Sequence, residues 1–129
     1  MTRTETSRMT PELLMEFSEA WNTHDANLLM KYMAERCSYQ VSFGPELEGR
    51  DFVGSEAVLA GFKAFFARFP DGKFVDAEIW VLDGDRGATV WTFTWTDEQG
   101  KKARVRGSDL FEFDGDKIRR KNAFRKLVQ

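Results

Sequence analysis

Asp109 stands in the alternating run Val105, Gly107, Asp109, Phe111, Phe113, where its neighbours on the same strand face are apolar or glycine. A carboxylate on such a face must be ion-paired, hydrogen-bonded or neutralised by an upward pKa shift. An ion pair makes it a fixed anion. Neutralisation makes it a carboxylic acid that can donate a hydrogen bond. The next turn bears on the choice: a two-residue loop at Gly115 and Asp116 places Asn122 opposite Asp109, whereas a three-residue loop from Asp114 places Lys121 there. Lys121 would keep the carboxylate ionised, and Asn122 would leave it freer to be protonated.

Other reactive types are sparse. His24 is the only imidazole, and hence the only such group for acid and base work near neutral pH. Its place beside the cap residue Asp25, between two helices, favours a junction role. Cys37 has no adjacent base in sequence and opens a strand, which suits a small buried hydrophobe better than a nucleophile. One cysteine and one histidine exclude an internal disulfide and a Cys/His zinc site, and no metal or cofactor is expected. Residues 117–129 hold six basic residues and no acid. Alternation along a strand divides those charges between a solvated edge and one or two inward positions.

The elements that must position these residues follow from periodicity. Thr10, Pro11 and Glu12 form a helix start, with Leu13, Leu14, Phe17, Ala20 and Trp21 at helical spacing and an end near Asn22. Asp25 caps a short helix carrying Leu28, Leu29, Tyr32 and Met33. Cys37 to Phe43 alternates as a strand with Tyr39, Val41 and Phe43 on one side, stopped by Gly44 and Pro45. A polar, glycine-bearing connection leads to the stripe Val58, Leu59, Phe62, Phe65, Phe66, Phe69, a helix ended by Pro70, Asp71 and Gly72. From Lys73 the chain reads as a meander of four long antiparallel strands, turning around Asp83 to Asp85, Gln99 and Gly100, and Asp114 to Asp116. Helices first and a meander afterwards predict an α+β domain with helices covering one face of a curved sheet.

The 129 residues suit one domain, expected over residues 10–129 behind a flexible leader at residues 1–9. A 42% hydrophobic and 14% aromatic content supports a core without disulfides or metal. Nineteen basic against 21 acidic residues, a formal charge of -2, gives no footprint for nucleic acid. No apolar stretch is long enough for a bilayer and the first ten residues lack a signal core, so a cytoplasmic protein without membrane partners is expected.

With Gln99 and Gly100 as a two-residue loop, Trp95 faces Arg104 and Phe93 faces Arg106. Trp91, Phe93, Trp95, Arg104 and Arg106 then form an aromatic and cationic face opposite the one bearing Asp109. Such a face suits the outer sheet surface and a homodimer contact.

Several local sequences carry a family likeness: Ala20 to Asp25 at the helix junction, Gly54 to Val58 opening the long helix, and Phe69, Pro70, Asp71. The most specific is the run from Gly107 through Ser108, Asp109, Leu110, Phe111, Glu112, Phe113, Asp114 and Gly115 to Lys117, Ile118 and Arg119. Over nearly its whole length the chain resembles the nuclear transport factor 2-like superfamily, particularly SnoaL-like and ketosteroid isomerase-like domains. The resemblance implies a cone-shaped α+β barrel, a strongly bent and mainly antiparallel sheet wrapped around about three helices from the N-terminal half. It also implies an apolar cavity open at one end, and often a homodimer.

By that resemblance, Asp109 matches the aspartic acid that ketosteroid isomerases keep protonated as an oxyanion donor. The isomerase tyrosine falls at Phe17 and its general base near Val41, so steroid-type isomerisation by that mechanism is not expected. SnoaL-type cyclases carry an acid on the last strand where Arg120, Lys121, Asn122 and Ala123 stand here. Limonene epoxide hydrolase-like members carry an arginine where Gly107 stands. The same alignment borders the cavity with Phe17, Trp21, Tyr39, Val41, Phe62, Phe66, Thr92, Phe111, Lys121, Ala123 and Arg125. Asp109, Lys121 and Tyr39 form its catalytic candidates and the other nine its ligand contacts. The expected ligand is a flat hydrophobic small molecule with an oxygen or carboxylate, undergoing proton transfer of isomerase, cyclase or dehydratase type. The alternative is a non-catalytic ligand-binding or homodimerisation module of the same fold.

Overall fold

The computed structural model describes residues 8–83 and 85–127. Helix α1, Pro11–Ala20, starts where Thr10 Oγ1 accepts from the Leu13 N–H at 3.1 Å, and it buries Leu14, Phe17 and Ala20. The chain tightens into a 3-10 turn over Trp21–Thr23 and passes through His24 in the left-handed region, φ 59°. Asp25 Oδ1 then caps α2, Ala26–Met30, through the Leu28 N–H. His24 serves this junction: its Nε2 donates to the Gly72 carbonyl at 2.7 Å and its ring stacks on Phe66 at 4.7 Å.

Strand β1, Met33–Gln40, begins four residues before the expected Cys37 start and ends before Val41. Its first half interrupts the alternation with the exposed pair Glu35 and Arg36, which hides it from a period-two reading. The expected connection contains a short strand β2, Asp51–Val53, antiparallel to β1 and too brief to show a period. Helix α3, Ser55–Arg68, buries Val58 and Phe62 against the sheet. The meander follows as β3 Lys73–Leu82, β4 Arg86–Thr96, β5 Lys102–Asp114 and β6 Lys117–Arg125.

The six strands lie in the order β2-β1-β6-β5-β4-β3, all neighbours antiparallel except β1 with β6. The sheet bends over the helices without closing, leaving β2 and β3 as edges. The core lies between the helices and the sheet's concave face, where Leu14, Phe17, Leu29, Val58, Phe62 and Ile118 are almost completely buried.

The leader expected at residues 1–9 lies outside the described residues up to position 7. Met9, its last member, is buried, and its N–H donates to the Gly115 carbonyl at 3.1 Å, so the anchored chain already includes it. Gly84, inside the expected turn before β4, is also outside the described residues.

Two registers differ from expectation. The β4–β5 loop has three residues, Glu98, Gln99 and Gly100: Asp97 N–H donates to the Lys101 carbonyl, and Gly100 sits at φ 80°. The Asp97 carboxylate stabilises this longer loop by accepting from Gln99 N–H and Lys101 N–H, both at 2.9 Å. Thr96 therefore pairs with Lys102, Phe93 with Val105, Trp91 with Gly107 and Thr89 with Asp109. This shift of one residue exchanges the faces. Trp91 and Phe93 turn inward onto the face that carries Asp109, while Arg104, Arg106 and Thr92 turn outward.

The expected interface of Trp91, Phe93, Trp95, Arg104 and Arg106 is therefore not one surface. Phe93 packs on Phe65, Phe69 and Phe74 within the domain. The large apolar side chains exposed on the outer face instead include Trp80, Leu82, Leu110 and Phe124.

The second register concerns β5 and β6. The two-residue loop at Gly115 and Asp116 forms, with Asp114 paired to Lys117, but Arg119 bulges between the pairs Phe113–Ile118 and Glu112–Arg120. The bulge places Ala123 opposite Asp109, in place of either expected partner. Arg119 and Arg120 both bond Glu112, at 2.9 and 3.2 Å, which holds the bulge.

Candidate ligand-binding site

The concave face brings Asp109 on β5 and Lys121 on β6 together on a diagonal. Lys121 Nζ donates to Asp109 Oδ1 at 2.7 Å, and the two side chains are 4% and 6% exposed. The other oxygen, Oδ2, accepts from Trp91 Nε1 at 2.8 Å and Thr89 Oγ1 at 3.1 Å. Three donors on two oxygens fit the carboxylate form and give Asp109 an acceptor's role. The hydrogen-bond donor implied by the isomerase resemblance is not what this geometry supplies.

Gly107 makes the arrangement possible. A β-carbon there would overlap the Trp91 indole and stand 2.6 Å from the Phe124 carbonyl oxygen. Where the resemblance would place an arginine, the space belongs to the tryptophan that holds Asp109.

Lys121 Nζ also lies 4.7 Å from the Trp21 ring centroid and 5.3 Å from that of Tyr39. These aromatic faces take the directions that the carboxylate leaves open. Burial pushes the Tyr39 phenol above its usual range, and the Asp109 charge adds to that effect. Trp21, 3% exposed, has its indole N–H without a hydrogen-bond partner among the described residues.

The space beside this cluster is small. An inner chamber of about 10 Å³ is bordered by Phe17, Trp21, Asp109, Phe111 and Lys121. A second, of about 20 Å³, is bordered by Tyr39, Val41, Lys121, Ala123 and Arg125 among others. Each has room for roughly one water molecule. The larger volume lies at the sheet's open end, a basin of about 500 Å³ between Val41, Phe43, Arg50, Phe52, Ala64, Phe65 and Arg68. Val41, Phe43 and Phe65 border both the basin and the second chamber, so the two adjoin.

Of the expected site residues, Asp109, Lys121, Tyr39, Phe17, Trp21, Val41, Phe111, Ala123 and Arg125 converge here. Phe62 and Phe66 do not border these spaces; Phe62 packs on Trp21 and Tyr39, and Phe66 on His24. Thr92 is on the outer face, accepting from Arg106 Nη1 at 2.9 Å. The shifted register is the reason, since it turns Thr92 out and Trp91 in. Sequence reasoning missed Thr89 and Trp91 as the donors to Asp109. It also missed Phe43, Phe65 and Arg68 as the wall of the basin. Asp97 three residues before Gly100 was the signal that would have found the first two.

Among the described residues no three His, Cys, Asp or Glu side chains cluster as metal ligands, and no helix is long and apolar enough to cross a membrane. The sequence pattern of the SnoaL-like domain matches residues 14–121, which span α1 through Lys121 itself. The chain belongs to the SnoaL-like domain family.

Solved structures with this fold include a protein of Xanthomonas campestris pv. campestris provisionally named a polyketide cyclase. It is 18% identical, with a TM-score of 0.75 over 89% of this chain and 88% of that one. A protein of Acidithiobacillus ferrooxidans with the same provisional name is 26% identical, with a TM-score of 0.72 over 89% and 86%. A protein of Bacillus subtilis provisionally named an isomerase is 14% identical, with a TM-score of 0.73 over 89% and 84%. No curated protein matches this SnoaL-like domain.

Proposed function

We propose that this SnoaL-like domain binds a hydrophobic small molecule in the basin at the open end of the sheet. The observation that carries this reading is the basin itself. Its volume of about 500 Å³ and its walls of Val41, Phe43, Phe52 and Phe65 have the size and character of small-molecule sites. It leads towards a polar floor, with Lys121 held on Asp109 and the Trp21 N–H unpartnered among the described residues. A flat carbonyl compound resting in the basin would direct its oxygen towards that floor.

A flat naphthyl ketone, 2-acetonaphthone, tests the proposal by calorimetric titration. Saturable binding is expected, weakened about tenfold or more by Ala64→Trp, because Ala64 is an exposed wall residue whose enlargement fills the basin. Heat that does not saturate, or an unchanged affinity in Ala64→Trp, sinks the reading.

Proton-transfer catalysis is a second reading, favoured by Lys121, which borders the chamber adjoining the basin and is held on Asp109, and by the isomerase and cyclase names of structural neighbours. Deuterium exchange into the methyl group of 2-acetonaphthone, followed by NMR in D₂O, separates the readings. Exchange above the buffer rate that disappears in Asp109→Asn favours catalysis. Binding with exchange at the buffer rate favours a module that only holds its ligand.

We also propose a homodimer through the outer sheet face, with Trp80, Leu82, Leu110 and Phe124 as its apolar centre. Arg86, Glu112 and Arg120 stand along one row beside them, so a second copy of the face could offer each sign its opposite. Sedimentation of the wild type at twice the chain mass, with Phe124→Glu at one chain mass, is the expected result. A single-chain mass for the wild type removes the proposal.

A further inference from the structure

Two arginines lie over one aromatic ring that borders the basin. The Arg68 guanidinium, at the end of α3, is 4.9 Å from the Phe43 ring centroid, and the Arg125 guanidinium, at the end of β6, is 5.6 Å from it. Arg50 borders the same basin. Neither Arg68 nor Arg125 has a carboxylate within 4.0 Å among the described residues. Asp97 and Glu98 border the space beside both arginines, but Asp97 Oδ1 is engaged in its own turn, bonded to Gln99 and Lys101, and neither carboxylate comes within 4.0 Å of either guanidinium. Arg125 is half-buried, and its charged form is disfavoured first by burial and then by the charge of Arg68. Two like charges are thus held together in a partly apolar place with no carboxylate in direct contact among the described residues, an arrangement that an anion relieves.

We infer that the ligand is an organic anion, with its flat body on Phe43, Phe52 and Phe65 and a carboxylate or similar group between Arg68 and Arg125. This rests on the binding reading above and adds the ligand's charge to it. Guanidinium groups suit the role because they are weakly hydrated, stack on aromatic rings and bind carboxylates through paired N–H donors. Phe43 holds both groups in place before the ligand arrives, which lowers the ordering cost of binding.

The test compares 2-naphthoate with 2-acetonaphthone, which share a ring system and differ in charge. Calorimetry on the full chain is expected to give 2-naphthoate an affinity about tenfold higher, falling as salt is raised. Arg68→Gln, at an exposed position, is expected to remove most of that preference by weakening 2-naphthoate about tenfold more than the ketone. Arg125→Gln should act in the same direction, with thermal melting confirming that the variant is folded. Equal affinities for the two probes, or a preference that survives both substitutions, overturn the inference while leaving the binding reading in place. Saturable binding of neither probe overturns both.

Discussion

Lys121 Nζ lies 2.7 Å from Asp109 Oδ1 although the two residues are not paired across the sheet: Asp109 faces Ala123, and Lys121 faces Phe111. The contact is diagonal, made possible by the small side chain of Ala123 and by the reach of a lysine. Both ends are buried, so the attraction is set against a large desolvation cost.

Removing one partner is expected to be severe. Lys121→Met and Asp109→Leu should each lose about 3–5 kcal/mol in chemical denaturation, because each strands the other charge inside the domain. The double variant should recover most of that loss. Losses that simply add would show that the two groups do not act as a pair.

Trp91 is seated by the absence of a side chain at position 107. Gly107→Ala should therefore destabilise by about 1–3 kcal/mol through overpacking and displace the Trp91 indole. The Trp91 N–H resonance, protected by its bond to Asp109, is the direct reporter; an unmoved signal would contradict the packing described.

The chain has two tyrosines, which gives alkaline titration a simple form. Burial and then the Asp109 charge raise the Tyr39 phenol, with Arg125 opposing, whereas the Tyr32 phenol, raised by burial and by Glu16, stands near solvent. A group whose folded pKa is raised stabilises fully below its unfolded value near 10, and that contribution is lost as pH rises beyond it. One phenolate should appear reversibly at 295 nm in the folded protein and the second only as the protein unfolds. Tyr39→Phe should flatten the fall in stability above this pH, and two phenolates formed without unfolding would refute the assignment.

The loop of Glu98, Gln99 and Gly100 sets the register of the site strands. Gly100→Ala, at φ 80°, should cost about 1 kcal/mol. Asp97→Ala should cost about 1–3 kcal/mol by removing two hydrogen bonds to backbone N–H groups. Denaturation midpoints measure both. A stability unchanged in Asp97→Ala would show that the carboxylate does not secure the longer loop.

By itself the sequence determined the order of elements apart from the short strand β2, because that order is written in local signals. Thr10 and Asp25 mark helix starts, the Val58 to Phe69 stripe has a helical period, and the later strands alternate between turn residues. It also determined that Asp109 needed partners, since burial of a carboxylate is a local consequence of strand alternation. Only the tertiary structure decided which partners those were. One extra loop residue after Asp97 and one bulged residue at Arg119 each move a whole strand by a single position, and in a sheet one position changes the face. Trp91 and Thr89 came to Asp109 by the first shift, and Lys121 came diagonally by the second. The basin is more distant still from sequence: Phe43, Phe65, Arg68 and Arg125 meet only because the sheet bends its open end around α3, and no local pattern encodes that meeting.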